Sequence, residues 1–296
     1  MPRRIDLKAH HENDGEAIIF LHIPKAGGST ISRILEQQYS SAETLTLDDR
    51  QRQIAQLKTL PAAQRGHYRL IQGHLFFGLH RFISRASTYI TFLRRPVERV
   101  LSFYHYARST SDHYLYPLVT TERLDLKTLL AREVTLELRN EQTRLLAGDD
   151  WEDPQRVVTR AALEQAQANL RTHFRVVGLL EEFDASLVLL QRAFGWHSPF
   201  YVRENVTKEK PDDTSVNAET RRLVEDANSL DLELYEYARK LFEEQRRAAG
   251  DSFDTELRRF RRLNRVYAGL GKFHAHSLAR FVGLFPMATR RKLQAE

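Results

Sequence analysis

The apolar positions of this chain gather into short unbroken runs set between longer stretches of helical spacing. Runs of strand length occur at Ala17–His22, Arg69–Gln72, Thr88–Leu93 and Phe174–Leu179. Continuous rather than alternating apolar character marks strands covered on both faces. Periodicity near 3.6 predicts helices over Asp49–Lys58, Leu124–Arg132, Leu136–Leu146 and Val158–Thr172. Asp184 reads as a helix N-cap and Gly195 as that helix's C-terminal stop, with Leu187, Val188 and Leu190 facing inward. Asn217–Asn228 and Leu230–Gln245 follow as two further helices joined by Ser229. Strands alternating with helices predict an α/β fold, a central parallel sheet flanked by helices.

Two segments repeat one design, an apolar strand that runs into a basic turn and then a helix carrying small hydroxyl residues. The first passes through Ile23, Pro24, Lys25, Ala26, Gly27, Gly28, Ser29 and Thr30. The glycine pair lets the backbone turn tightly and present its N–H groups. The helix behind it, with Ile31, Ile34, Leu35 and Tyr39 on one face, aims its positive end at the same point. Lys25 adds a full charge there, and Ser29 and Thr30 add donors. The second segment supplies Arg94 at a strand end, Pro96 at a first helical position and Ser102 on the following helix. A ligand with two separated phosphate groups suits both.

In the common phosphate loop the lysine stands behind the glycines, whereas here Lys25 precedes them. That order after a buried strand resembles the 5′-phosphosulfate loop of sulfotransferases, which use 3′-phosphoadenosine-5′-phosphosulfate (PAPS). The stretch from Leu93 to Tyr104 resembles their 3′-phosphate motif, and the two occur in the expected order. The resemblance extends to Gln72-Gly73-His74-Leu75, to Val177–Phe183 and to Asn205–Lys210, spanning about Ala17 to about Gln245. Its nearest branch is that of the Golgi-type carbohydrate enzymes, particularly the heparan 2-O-sulfotransferases and their bacterial relatives.

The resemblance implies a P-loop-like three-layer fold, with a sulfotransferase domain over residues 1–250. It implies PAPS as co-substrate, held by Lys25, Ala26, Gly27, Gly28, Ser29 and Thr30, with Arg94 and Ser102 on the 3′-phosphate. Asn205 and Thr207 fall in the loop that helps cover the nucleotide in the family. The acceptor it implies is a hydroxyl on a carbohydrate or glycoconjugate. Many relatives carry an acidic residue where Arg95 stands, so whether Arg95 meets nucleotide, acceptor or solvent is open. Arg99 is expected to pair with Glu98 or other surface carboxylates.

Sulfuryl transfer needs acceptor oxygen, sulfur and leaving oxygen roughly in line, with charge building on the leaving group, so positioning and electrostatic stabilisation supply most of the catalysis. Lys25 is the candidate for the leaving oxygen. The acceptor hydroxyl is a poor nucleophile near neutral pH and calls for a base, for which histidine is suited. Of twelve histidines, His74 stands at the place of the family's catalytic histidine, behind a strand and Gly73. Gln72 replaces the first histidine of the branch's His-Gly-His. His22 closes the first strand beside the phosphate loop, either assisting or held by nearby backbone. His67, His80, His105 and His113 have no spacing that demands a metal, and the mechanism requires none.

Composition narrows the picture only a little. A chain of 296 residues buries a sizeable core without disulfides, and it has no cysteine. Forty-five Lys and Arg against 39 Asp and Glu give a net charge of +6, which favours anionic ligands. The polar stretch from Met1 to Gly15 and the short apolar run from Ala17 to Ile23 predict neither a secretory leader nor a membrane span, so a cytoplasmic enzyme is expected. Residues 251–296 read as a basic amphipathic extension. Arg258, Arg259, Arg261, Arg262 and Arg265 flank Phe253, Leu257, Phe260, Leu263 and Leu270, a stripe suited to packing on its own domain or to a membrane surface, acidic substrate or partner subunit. A P-loop-type kinase is a rival, weakened by the missing Gly-Lys-Ser/Thr order and the want of an evident magnesium aspartate. A non-catalytic adaptor for membranes or polyanions is another. No nucleic-acid module is recognisable.

Overall fold

The computed structural model describes residues 16–47, 55, 57–148, 157–197, 199–202 and 217–283, with side chains up to 269. Five strands form one parallel sheet in the order β2-β3-β1-β4-β5. They are β1 (Ala17–Leu21), β2 (Thr44–Leu47), β3 (Leu70–Gly73), β4 (Ser87–Leu93) and β5 (Phe174–Leu179). Every residue of β1 is buried, as its unbroken apolar run requires of a central strand between β3 and β4. Neither Thr44 nor Leu45, Thr46 or Leu47 belongs to an expected strand. They form edge strand β2, which alternates polar and apolar residues and is buried only at Leu47.

The helices that cover the sheet are α1 (Gly28–Gln38), α2 (Pro96–Ser109), α3 (Leu126–Ala131), α4 (Glu141–Ala147), α5 (Arg160–His173), α6 (Phe183–Phe194), α7 (Ala218–Ala227), α8 (Ser229–Ala248) and α9 (Phe253–Gly283). The expected helix over Asp49–Lys58 lies largely outside the described residues, though 55 and 57–59 are helical. The single helix expected over Leu136–Leu146 is broken. A 3₁₀ turn at Leu136–Leu138 stops before Asn140, whose φ of 47° is left-handed, and α4 starts afresh behind it. Asp184 is not an N-cap: α6 is capped at Glu182 without a side-chain bond, and Asp184 instead accepts from the Tyr201 hydroxyl at 2.8 Å and pairs with Arg261. Gly195 does end that helix in the left-handed conformation, at φ 67°.

The main core joins the sheet to Ile31, Ile34 and Leu35 of α1, to Leu187, Val188 and Leu190 of α6 and to Leu241 and Phe242 of α8. A second cluster forms a helical lobe from Val97, Val100 and Phe103 of α2, Leu129 and Leu130 of α3 and Val224 of α7. The outer edge of β5 is satisfied from α8, where the Gln245 amide accepts from Val177 N and donates to the Arg175 carbonyl, both at 3.3 Å. Phe253, Leu257 and Phe260 of α9 are buried in the main core, Arg192 bonds Glu256, and Asn264 accepts from Tyr201 N at 2.8 Å. Among the described residues no helix is long and apolar enough to cross a membrane.

Candidate active site

The chain leaves β1 toward one side of the sheet, through α1 to β2 and β3, and then crosses to the other side to build β4 and β5. In an open parallel sheet this reversal creates a crevice beyond the carboxyl ends of the strands. Three adjacent strands end there. β3 delivers His74, β1 delivers His22 and Lys25, and β4 delivers Arg94.

The phosphate loop is tightly determined. Lys25 holds φ at 67°, a left-handed conformation costly to a lysine, and the Arg94 guanidinium donates to its carbonyl at 3.1 Å. Gly27 has φ 87°, and a Cβ there would come within 2.7 Å of Leu180 Cδ1. A Cβ on Gly28 would lie 1.6 Å from Nε2 of His22, so the ring of His22 occupies the space this glycine leaves. No side chain caps the N-terminus of α1, which leaves the first-turn N–H groups for an anion. Ala26 is buried, Ser29 is exposed and Thr30 is half-buried at that turn.

Gly73 explains the Gly-His pair. Its φ is 148°, and a Cβ would meet the Leu47 carbonyl at 2.1 Å, so only glycine lets β2 pass this close while the chain turns to His74. The His74 ring stacks on that of His22, with centroids 4.4 Å apart and planes 29° from parallel. Burial, reinforced by His74 and Lys25, lowers His22 to about 3, so His22 stays neutral at any working pH. Its backbone N–H donates to the Gly73 carbonyl at 3.0 Å.

Burial, and then the charge of Arg94, pull the Lys25 ammonium down to about 8. Two cations brought together and half removed from water are poised for an anion. Arg94 is itself lowered by burial. The Lys25 Nζ stands 3.8 Å above the ring of Tyr106 on α2. Ser102 is half-buried on α2, one helical turn before Tyr106 and therefore on the same face of that helix. Asn205 and Thr207 lie outside the described residues.

Several residues that position the site were not foreseen. The Gln142 amide accepts from Arg94 N at 3.0 Å and donates to Arg94 O at 2.9 Å. Gln142 is in turn fixed through Asp231, whose buried carboxylate accepts from the N–H groups of Gln142 and Thr143 and from the Thr143 hydroxyl. The arrangement is reciprocal: Asn140 Oδ1 accepts from Leu230 N and Asp231 N, so each of α4 and α8 caps the other. Glu181 accepts from Arg95 N at 2.9 Å and from the Tyr235 hydroxyl at 2.8 Å. Arg95 itself is exposed. Arg99 is no surface residue. It is wholly buried and donates to the Glu137 carbonyl at 2.7 Å, while Glu98 faces Arg221.

Val177–Phe183 props the crevice from below. Gly178 leaves room for the Phe92 ring, which a Cβ would approach to 2.8 Å, Leu180 packs on Gly27, and Phe183 packs on Phe92. Among the described residues no three His, Asp or Glu side chains gather as a metal site would need.

Comparison with known proteins gives three findings. No curated protein matches the chain. Among solved structures, mouse sulfotransferase SULT7A1 complexed with PAP is similar at 15% identity, over 88% of this chain and 89% of that one, with a TM-score of 0.33. A family model described as Sulfotransferase family matches residues 12–238. That match takes in the phosphate loop, Gly73-His74 and the Arg94 segment together, and the chain belongs to the sulfotransferase family.

Proposed function

We propose that the protein moves the sulfuryl group of PAPS to a hydroxyl on a carbohydrate or glycoconjugate, with His74 as general base. One observation carries the reading: the ends of β3, β1 and β4 bring His74, Lys25 and Arg94 to one crevice, and Arg94 is bonded to the Lys25 carbonyl. The cradle fits a 5′-phosphosulfate, since α1 is uncapped and the cations of Lys25 and Arg94 stand beside its N-terminus.

His74 takes the proton of the acceptor hydroxyl as its oxygen bonds to sulfur. On the opposite side the bond from sulfur to the phosphate oxygen breaks, and that oxygen leaves with the electron pair on 3′-phosphoadenosine-5′-phosphate (PAP). Lys25 meets the charge that develops there, and Arg94 with Ser102 holds the 3′-phosphate. His22, neutral and stacked on His74, places the base without adding a charge beside it. The carbohydrate acceptor is supported by the likeness of Gly73-His74 and the two phosphate motifs to the heparan 2-O-sulfotransferase branch.

The test is twofold. PAP is expected to raise the melting temperature more than AMP or ATP with magnesium; at about 100 times its Kd the stabilisation is about 2.7 kcal/mol. Labelled PAPS with a panel of glycans, lipids and phenols then reads the acceptor. Equal stabilisation by ATP and none by PAP rejects the cofactor, and transfer to phenols alone rejects the carbohydrate.

A further inference from the structure

Beside Lys25 lies a row of aromatic rings that the fold does not need. Tyr106, which carries the Lys25 ammonium on one face, is 43% exposed, and Tyr114 is 59% exposed. Between them His113 stands edge-on to Tyr106 with centroids 5.5 Å apart and lies flat against Tyr114 at 4.8 Å and 22°. Buried Phe103 supports His113 from beneath at 5.3 Å.

The row is rigid. The Tyr114 hydroxyl donates to Glu137 Oε2 at 2.5 Å and sits 2.8 Å from Thr135 Oγ1. His113 Nδ1 accepts from Leu115 N at 3.2 Å, so the neutral ring carries its proton on Nε2 and is a donor there. That bond makes His113 a poor second base and a good partner for a hydroxyl. Fixing an exposed tyrosine by its hydroxyl adds little to the core, but it removes beforehand the ordering cost of a binding surface.

We infer that Tyr106, His113 and Tyr114 form the acceptor platform, along which an oligosaccharide runs, one sugar at the Tyr106–His113 end and the next with its C–H face on the side of Tyr114 turned away from His113. A single six-membered ring cannot cover the row, so a chain of rings fits it better than a lone phenol. Tyrosine faces are electron-rich and match the C–H face of a pyranose, and His113 Nε2–H and the edge polar groups meet its hydroxyls. Because the row starts in the crevice that also receives His74, a sugar at its inner end turns its hydroxyl toward that base, across the sulfuryl group from the oxygen that Lys25 meets, and the next sugar rests outward on Tyr114. This inference rests on the carbohydrate reading and adds where the acceptor lies and that it is longer than one sugar.

Transfer from labelled PAPS to hexasaccharides and disaccharides of heparosan, chondroitin and N-acetyllactosamine, with 4-nitrophenol beside them, tests it. Tyr114 does not touch Lys25, so Tyr114→Leu isolates the platform. The expected result is a KM for the accepted hexasaccharide raised roughly 3- to 10-fold, with kcat, the disaccharide KM and PAP affinity within about twofold of wild type. Tyr114→Phe, which keeps the ring, should raise it less. An unchanged hexasaccharide KM in Tyr114→Leu, or a loss of PAP affinity alongside it, overturns the platform while the carbohydrate reading stands. Wild-type transfer to 4-nitrophenol alone, or to no sugar, overturns both.

Discussion

Gln142 and the main chain of Arg94 exchange two hydrogen bonds, at 3.0 and 2.9 Å, so an amide on α4 fixes both sides of the peptide from which the guanidinium projects. Gln142 is fully buried. Gln142→Leu leaves the Arg94 N–H and C=O without those partners, at a cost of roughly 1–3 kcal/mol each where water cannot reach them. The expected outcome is a clearly lower melting temperature and a Kd for PAP raised about 10-fold, read by denaturation and titration calorimetry. A variant that melts lower but binds PAP normally would confine Gln142 to stability.

Arg94 and His74 should separate binding from chemistry. Arg94→Ala removes a charge-assisted contact of about 1.5–3 kcal/mol and should weaken PAP correspondingly. His74→Ala should bind PAP normally and lose on the order of 10²–10⁴-fold in transfer rate. Full turnover in His74→Ala would assign the base elsewhere.

Lys25 predicts a pH limb of definite sign. In the free enzyme the ammonium is lost as pH rises through about 8, so kcat/KM for PAPS should fall above that point. Bound anion raises the same pKa, and kcat should stay flat further. Lys25→Arg should remove the limb without restoring the rate, since a guanidinium does not replace a compact ammonium at the leaving oxygen. A limb that survives in Lys25→Arg belongs to another group.

Gly28 and His22 should behave as a coupled pair. Gly28→Ala drives a methyl into His22, and the protein should be strongly destabilised with PAP binding lost. Adding His22→Ala opens that space and should recover part of the stability, a positive coupling in a double-mutant cycle. Independent effects would mean that the ring moves aside without cost.

His22 also sets an acid limit. Its native value is about 3 and its ordinary value 6.5, so between these the unfolded chain holds a proton that the native one does not, and stability rises with pH. Melting temperature should therefore drop as pH falls below about 6.5, and His22→Asn should flatten that slope. An unchanged slope would place the acid sensitivity in other groups, such as half-buried His80, which partial burial lowers to about 4.

The sheet was legible because its inner strands are buried on both faces and so are written as unbroken apolar runs. β2 was not, because Thr44 and Thr46 alternate with Leu45 and Leu47 at a half-exposed edge. The left-handed turn at Gly27 and the place of Arg94 just beyond a strand end were legible because local conformation is set by a few neighbouring residues. Gln142, Asp231 and Glu181 act across the fold, at sequence distances of 48 to 89 residues from the groups they hold, and no local pattern records them. Arg99 looked solvent-facing because charge usually is, yet it closes the Glu137 carbonyl inside the helical lobe.

The bond from Arg94 to the carbonyl of Lys25 joins the two ends of the nucleotide site mechanically. In the function we propose, the arm that reaches for one phosphate is thus part of the scaffold that shapes the cradle for the other. That bond stands without any ligand, so both ends are shaped beforehand and a ligand need not spend binding energy on ordering either. Donor and spent product share both phosphate groups, so a scaffold made ready in this way serves the one as well as the other.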